Sequence, residues 1–192
     1  MNSRCEIPEK METERLLLRA YRAGDGPMVF AASLRNRDHL STFESENVLM
    51  ILKDEKHAEE VVRELWDKWT ACECFFIALF EKTTNDWVGQ VFVGPTDWEL
   101  PEFTIGYVAD VHHEGKGYIS EAVRRVLKML FEELDAHRVR SECDENNLRS
   151  VHLLERCGFQ REAHLRENKR YADGSFHGYY LYAMLSREYF NR

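Results

Sequence analysis

The stretch from Ile105 to Leu134 constrains this chain more than any other part of it. It opens on the β-compatible residues IGYVA, passes a loop holding Gly115 and Gly117, and enters a run where Ile119, Ala122, Val123, Val126, Leu127, Leu130, Phe131 and Leu134 recur at helical spacing. This is the strongest periodic signal present, and it predicts an amphipathic helix over residues 117–134. A strand that feeds a helix through a glycine loop has a chemical consequence. The first N–H groups of a helix lack an intrahelical acceptor, and with the helix dipole they form an anion site that needs no basic side chain. Gly115 and Gly117 either turn the chain or let a phosphate approach backbone that carries no Cβ. Lys116 lies between them, and Arg124, Arg125 and Lys128 follow along the helix, as a solvated face or as a phosphate clamp.

The rest of the chain alternates strand and helix patterns. Residues 15–21 (RLLLRAY) read as a strand ended by AGDGP, before the helically spaced Met28, Phe30, Ala31 and Leu34. A second helix is expected between Asp54 and Glu73, where Ala58, Val61, Val62, Leu65, Trp66 and Trp69 share a face. The segments CFFIALFE, WVGQVFVG and EFTIGYVA, at residues 74–81, 87–94 and 102–109, suggest an antiparallel meander. Residues 137–143 alternate like a half-buried strand. Asn146 or Asn147 can cap a helix through Arg156, with Gly158 at the left-handed position beyond its end and Phe159 in the contact that follows. A strand from Phe159, the turn ADGS at 172–175 and the Tyr-rich strand FHGYYLYAML complete a mixed α/β (α+β) order without a linker.

Composition narrows the function classes. At 192 residues and 44% hydrophobic content the chain is expected to form a single domain over residues 1–192, with a core of about 12–188. Acidic residues outnumber basic ones, 34 to 26, which disfavours a nucleic-acid partner and anionic lipid and weakly favours cationic acceptors. The longest apolar stretch, Cys74 to Phe80, is too short for a bilayer span, and MNSRCEIPEK lacks a signal-peptide centre, so no membrane role and a cytoplasmic location are expected. Five scattered cysteines, Cys5, Cys72, Cys74, Cys143 and Cys157, read as free thiols in a reducing compartment. A homodimer is carried as the commonest soluble assembly.

EGKGYISEA, followed by NLRSVHLLERCGF at residues 147–159, resembles the acetyl-CoA-binding core of the GNAT superfamily, and within it the RimJ/RimL-like N-acetyltransferases. The opening METERLLLRAYRAGD and the closing GYYLYAMLSREYF are similar to that branch too, so the resemblance covers almost the whole chain. It implies a mixed, strongly twisted sheet of about seven strands, helices on both faces, and central strands, here 102–109 and 137–143, that splay apart. The donor's pantetheine arm would lie in that V as an added strand. By the same resemblance the backbone of Tyr107, Val108 and Ala109 faces the arm, and the N–H groups of Glu114, Gly115, Lys116, Gly117, Tyr118, Ile119 and Ser120 hold the pyrophosphate. The N–H of Val108 or Ala109, on a bulged strand, is the family-like oxyanion donor.

Two positions depart from the family loop: Glu114 where Gln or Arg is usual, and Ile119 where Gly or Ala is usual. Glu114 brings negative charge towards the pyrophosphate unless its side chain points away. Asn147 and Ser150 match the N-x-x-S element, as ligands of the arm or as ordinary caps. Leu154 stands where many relatives carry a tyrosine acid, which leaves Ser150 as the candidate proton donor to the leaving thiolate.

The resemblance implies acetyl transfer to a primary amine, a protein N-terminal α-amine or a small amine, and the base that removes the amine proton is harder to find. Glu102 is the first candidate, with His112 and His113 next and Asp97, Asp173 and His177 behind them. Tyr107, Tyr179, Tyr180 and Tyr182 line an acceptor pocket or pave the sheet. His112, His113 and Glu114 lack metal-ligand spacing, so no metal is expected. Two rivals remain: a CoA-binding or sensing module without catalysis, and a dinucleotide-dependent oxidoreductase, whose third glycine would fall at Ser120.

Overall fold

A computed structural model of the chain describes residues 7–171 and 174–191. Cys5, Ala172 and Asp173 lie outside the described residues. The two-residue repeat of the strands sorts their side chains into two cores. In β2 (Leu16–Ala20) Leu16 and Leu18 pack on one face while Leu17 turns to the other, and in β3 (Phe75–Glu81) Ile77 and Leu79 join the first face and Ala78 and Phe80 the second. The first face is covered by α3 (Tyr118–Lys128) and α4 (Leu148–Cys157), through Ile119, Val123, Val151 and Leu154. The second is covered by α1 (Gly26–Phe43) and α2 (Glu55–Thr70), through Val29, Ala32, Val62 and Leu65. Helices on both faces follow directly.

With β1 (Lys10–Glu12), β4 (Trp87–Asp97), β5 (Glu102–Ala109), β6 (Arg138–Asp144), β7 (Gln160–Arg170) and β8 (Phe176–Leu185), the sheet runs β1-β2-β3-β4-β5-β6-β8-β7. It has eight strands rather than about seven. The addition is β1, whose three residues are too few to show a period. All neighbours are antiparallel except β5 and β6. A meander around one parallel pair is not the repeated parallel unit of a dinucleotide fold, and the oxidoreductase reading loses its scaffold.

The β5–β6 pairing extends only from Glu102↔Arg138 to Thr104↔Arg140. Beyond Thr104, β5 stays with β4 as far as Gly89↔Ala109, and β6 stays with β8 as far as Asp144↔Tyr179. The two strands therefore part, as expected. The expected bulge in β5 is absent from this region: register with β4 is unbroken from Ala109 to Phe103, and the irregularities lie at Pro95–Asp97 and between Leu79 and Phe80 opposite β4.

Local chemistry explains the ends of the elements. Gly158 sits at φ +84° beyond α4, and the Phe159 N–H donates to Leu154 O at 3.0 Å, the geometry read from the sequence. After Lys128 the third helix widens into a π turn over Met129–Glu133, which buries the consecutive Met129, Leu130 and Phe131 together, something a regular α stripe cannot do. A short α5 (Ser186–Phe190) ends the chain's described part. Cys72 is disulfide-bonded, so the free-thiol expectation fails there; Cys74, Cys143 and Cys157 are not disulfide-bonded. No helix among the described residues is long and apolar enough to cross a membrane.

Gly89 lies where β4 backs the parted segment of β5. At its φ of +152°, an added Cβ would meet Val108 O at 2.3 Å and Ile119 Cδ1 at 2.8 Å. Gly89→Ala is expected to cost about 2–3 kcal/mol by overpacking, read as a lower urea midpoint with an unchanged slope.

Candidate functional site

The parted strands enclose a cleft of ≈ 430 Å³. One wall is β5 from Gly106 to Ala109, the other is Ser141 and Glu142 of β6 with the start of α4, and the end of α1 closes the side. An antiparallel strand turns successive N–H groups to opposite edges. The Asp110 N–H donates to Val88 O at 3.0 Å, on the β4 side, so Ala109 and Tyr107 direct theirs into the cleft and Val108 does not. Of the two oxyanion candidates, Ala109 is the one aimed correctly.

The end of β5 is held by a buried carboxylate that the sequence did not flag. Asp110 is fully buried and accepts from Arg35 Nε at 2.7 Å, Asn36 Nδ2 at 2.8 Å and the His113 ring at 2.7 Å. Burial alone would raise its pKa, but those three donors hold the carboxyl below its ordinary range. Asn36 also accepts from the Val111 N–H at 2.8 Å, which fixes the strand's exit to α1.

Past Asp110 the glycine loop delivers α3. Gly115 and Gly117 take φ of +74° and +79°, and no side chain caps the helix at Gly117, so its first N–H groups are free to serve an anion. Arg15 anchors this loop: its Nη1 donates to Lys116 O at 2.9 Å, its Nε donates to Glu121 at 2.7 Å, and its guanidinium lies 4.7 Å from the Tyr118 ring centre. Partial burial works against the Glu121 charge, yet the Thr13 hydroxyl and Arg15 hold that carboxyl below its usual range. Glu121 is thus neutralised where it would otherwise oppose an incoming phosphate. Ile119 turns into the core and Ser120 is almost buried, so both offer backbone only.

Glu114 does reach the cleft, but not as a bare charge. Its carboxylate pairs with Arg149 at the start of α4 and lies 3.3 Å from His39 Nε2, and all three line the cavity. The counter-charge to the unusual Glu114 is therefore in the second motif, two residues after Asn147.

On the α4 wall, Asn147 caps the helix by accepting from the Ser150 N–H at 3.2 Å, and it also lines the cleft. Capping and ligand contact are both open to it. The Ser150 hydroxyl lies 2.7 Å from the Tyr107 hydroxyl, and it also bonds the Cys143 thiol, which burial pushes up to about 11. Burial likewise holds the Tyr107 phenol above its ordinary pKa, so it stays protonated. Leu154 is fully buried in the core and takes no part.

Other sequence candidates fall outside. Glu102 sits at the closed end of the V, where Arg140 at 3.4 Å and Arg138 at 3.7 Å share its carboxylate, and it does not line the cleft. It is corrected from base to strand-pairing charge. His112 and His113 line a separate cavity beside α1 with Asp86 and Arg35. Asp97 closes a turn by accepting from the Glu99 and Leu100 N–H groups. His177 is tied to Asp144 at 3.0 Å, and Tyr179, Tyr180 and Tyr182 do not line the cleft. Among the described residues no cluster of metal-ligating side chains occurs. Sequence reasoning missed the α1 end, His39, Leu40, Phe43 and Glu44, which contributes four residues to the cavity. Their spacing carried no signal.

The sequence profile of the acetyltransferase (GNAT) domain family matches residues 15–160. The chain is 28% identical to the uncharacterized N-acetyltransferase p20 of Bacillus licheniformis over 136 residues, 71% of this chain and 76% of that protein. It is 38% identical to the spermidine N(1)-acetyltransferase of Vibrio cholerae over 65 residues, only 32% of this chain and 38% of that enzyme. Its fold superposes on RimL, the ribosomal L7/L12 alpha-N-protein acetyltransferase in complex with coenzyme A, with a TM-score of 0.81 at 19% identity, covering 93% of this chain and 97% of that one.

If Arg149 offsets Glu114 against a bound pyrophosphate, Arg149→Ala should weaken acetyl-CoA binding about 3–10-fold and Glu114→Gln should tighten it by a similar factor. Each change is worth about 0.5–1.4 kcal/mol for a solvated charge. Titration calorimetry at low and physiological salt reads both.

Proposed function

Because the chain belongs to the GNAT acetyltransferase family, we propose that its cleft binds acetyl-CoA and transfers the acetyl group to a primary amine, most simply a protein N-terminal α-amine or a small polyamine-like amine. One observation carries this reading. The strands part where they leave backbone N–H groups of Tyr107 and Ala109 directed into the cleft, and the cleft's lining extends to Glu114, the residue before a loop whose two left-handed glycines lead to an uncapped helix start. An amide-bearing arm can pair with the first feature while its phosphates reach the second.

The chemistry follows from three needs. Charge that builds on the thioester oxygen is met by the Ala109 N–H, aimed into the cleft and fixed by the Asp110 clamp. The departing thiolate takes a proton from the Ser150 hydroxyl. Tyr107 is a positioning residue for that step: its hydroxyl lies 2.7 Å from the Ser150 hydroxyl and 3.4 Å from the Ser150 carbonyl oxygen, which holds the serine against the β5 wall. The amine must lose a proton before it attacks. The acceptor classes rest on what related enzymes act on, a ribosomal protein for RimL and spermidine for the Vibrio cholerae enzyme. The net charge of −8 supports a cationic acceptor and not a nucleic acid. The same reading carries a cytoplasmic, metal-independent enzyme formed by the whole chain as one domain, with a homodimer as its assembly.

Calorimetry with acetyl-CoA, CoA and NAD is expected to show binding of the first two and none of the third. Thiol release from acetyl-CoA across amines and N-terminal peptides should then depend on the acceptor; CoA binding without such release across pH 6–9 would leave a binding module. Ser150→Ala is expected to lower kcat about 10²-fold, and a change within about twofold would remove its role as acid.

A further inference from the structure

We infer that Glu44 is the general base that deprotonates the acceptor amine, and that Glu142, facing it across the cleft, tunes it and helps hold the incoming ammonium. This rests on the acetyltransferase reading and adds the group that reading lacks.

The position of Glu44 comes first. It is the cap residue of α1, where its N–H donates to Leu40 O at 2.7 Å and its carbonyl accepts from the Asn47 N–H at 2.9 Å, so the backbone is fixed from both sides. Its side chain lines the cleft opposite Tyr107 and Val108. Among the described residues its carboxylate has no hydrogen bond or ion pair, in contrast with Glu102 and Glu114, whose oxygens are taken by guanidinium groups. A carboxylate that faces the thioester wall and is otherwise uncommitted has its lone pairs available for a proton.

The electrostatics agree with the placement. Glu44 is exposed at the rim of the cleft, where partial desolvation by its walls and the like charge of Glu142 of β6 and Glu46, opposed by Lys169 of β7, raise its carboxyl to about 7. Tyr107 of β5 and Cys143 of β6 lie near it as neutral groups, and His39, Glu114 and Arg149 also line the cavity. A base poised there accepts a proton from an ammonium group with the least loss at neutral pH.

The step balances as follows. Glu44 takes one proton from R–NH3⁺, and the freed lone pair forms the C–N bond at the thioester carbonyl. The C–S bond then breaks, its electron pair leaving on sulfur, which takes the Ser150 proton. The second nitrogen proton passes to solvent, from which Ser150 is restored, so that one proton is released overall.

Two variants and two readouts test this. In wild-type protein kcat/KM should rise with pH through about 7. Glu44→Gln should lose that rise and about 10²-fold in kcat, with acetyl-CoA affinity unchanged. Glu142→Gln removes a like charge, which lowers the Glu44 pKa, so the rise should move to lower pH. Independently of turnover, ¹³C NMR of glutamate-labelled protein should show one carboxyl titrating near 7, absent in Glu44→Gln and shifted down in Glu142→Gln. The proposal is overturned if Glu44→Gln keeps the limb and its rate within twofold, if the limb is lost with Glu142→Gln instead, or if the Glu44 signal titrates near the ordinary 4.3. Failure of the wild type to bind acetyl-CoA would overturn the function itself, and calorimetry distinguishes that outcome from the others.

Discussion

The parting of β5 from β6 after Thr104 is the constraint on which the site depends. Buried backbone N–H and C=O groups need partners, and two strands paired over only the first three residues of β5 leave the rest of that edge without one. Each strand is held apart from the other by a stronger attachment elsewhere. β6 pairs with β8 along its full length, and β5 pairs with β4 and is then pulled towards α1 by Asp110 and its three donors. The gap is thus a product of competing attachments rather than of a special residue at its apex. A ligand with its own amides is the natural occupant of such an edge.

The electrostatic layout solves a problem that the composition sets. An acidic chain must present a place for a polyanion, and it does so with backbone dipoles at α3 while neutralising the two acids nearest that end. Glu121 is bound by Arg15 and Thr13, and Glu114 by Arg149 and His39. The acids left uncommitted among the described residues, Glu44 and Glu142, line the same cleft, and the proposed reading gives them the cationic acceptor. That layout matches a reaction between a phosphorylated donor and an ammonium acceptor.

Most of the fold was legible because its signals are local. The α3 stripe, the three-strand meander and the Gly158–Phe159 ending each follow from period or backbone preference, and they stand close to their expected bounds, save the π turn, the β1 strand and β4, which runs three residues past its expected end to Asp97. The donor half of the site was legible for the same reason, since a glycine loop is written contiguously. The acceptor half was not. Glu44 reaches the cleft only because α1 ends where it does, and Arg149 answers Glu114 across 35 positions. Glu102 illustrates the converse: a strand-end glutamate looks like a base until the parallel pairing sets Arg138 and Arg140 beside it.

The proton-donor end shows how a missing residue is absorbed by geometry. A tyrosine at position 154 would have to leave the core that Leu154 fills completely. Instead a phenol reaches the serine from the opposite strand, through Tyr107 of β5. Its burial disfavours the phenolate, so the group stays a hydroxyl at working pH. The serine hydroxyl is thereby held between Tyr107 of β5 and the Cys143 thiol of β6. Under the proposed reading the acid function would belong to a pair spanning the V, so a change that widens the gap between β5 and α4 would disable it without touching either side chain.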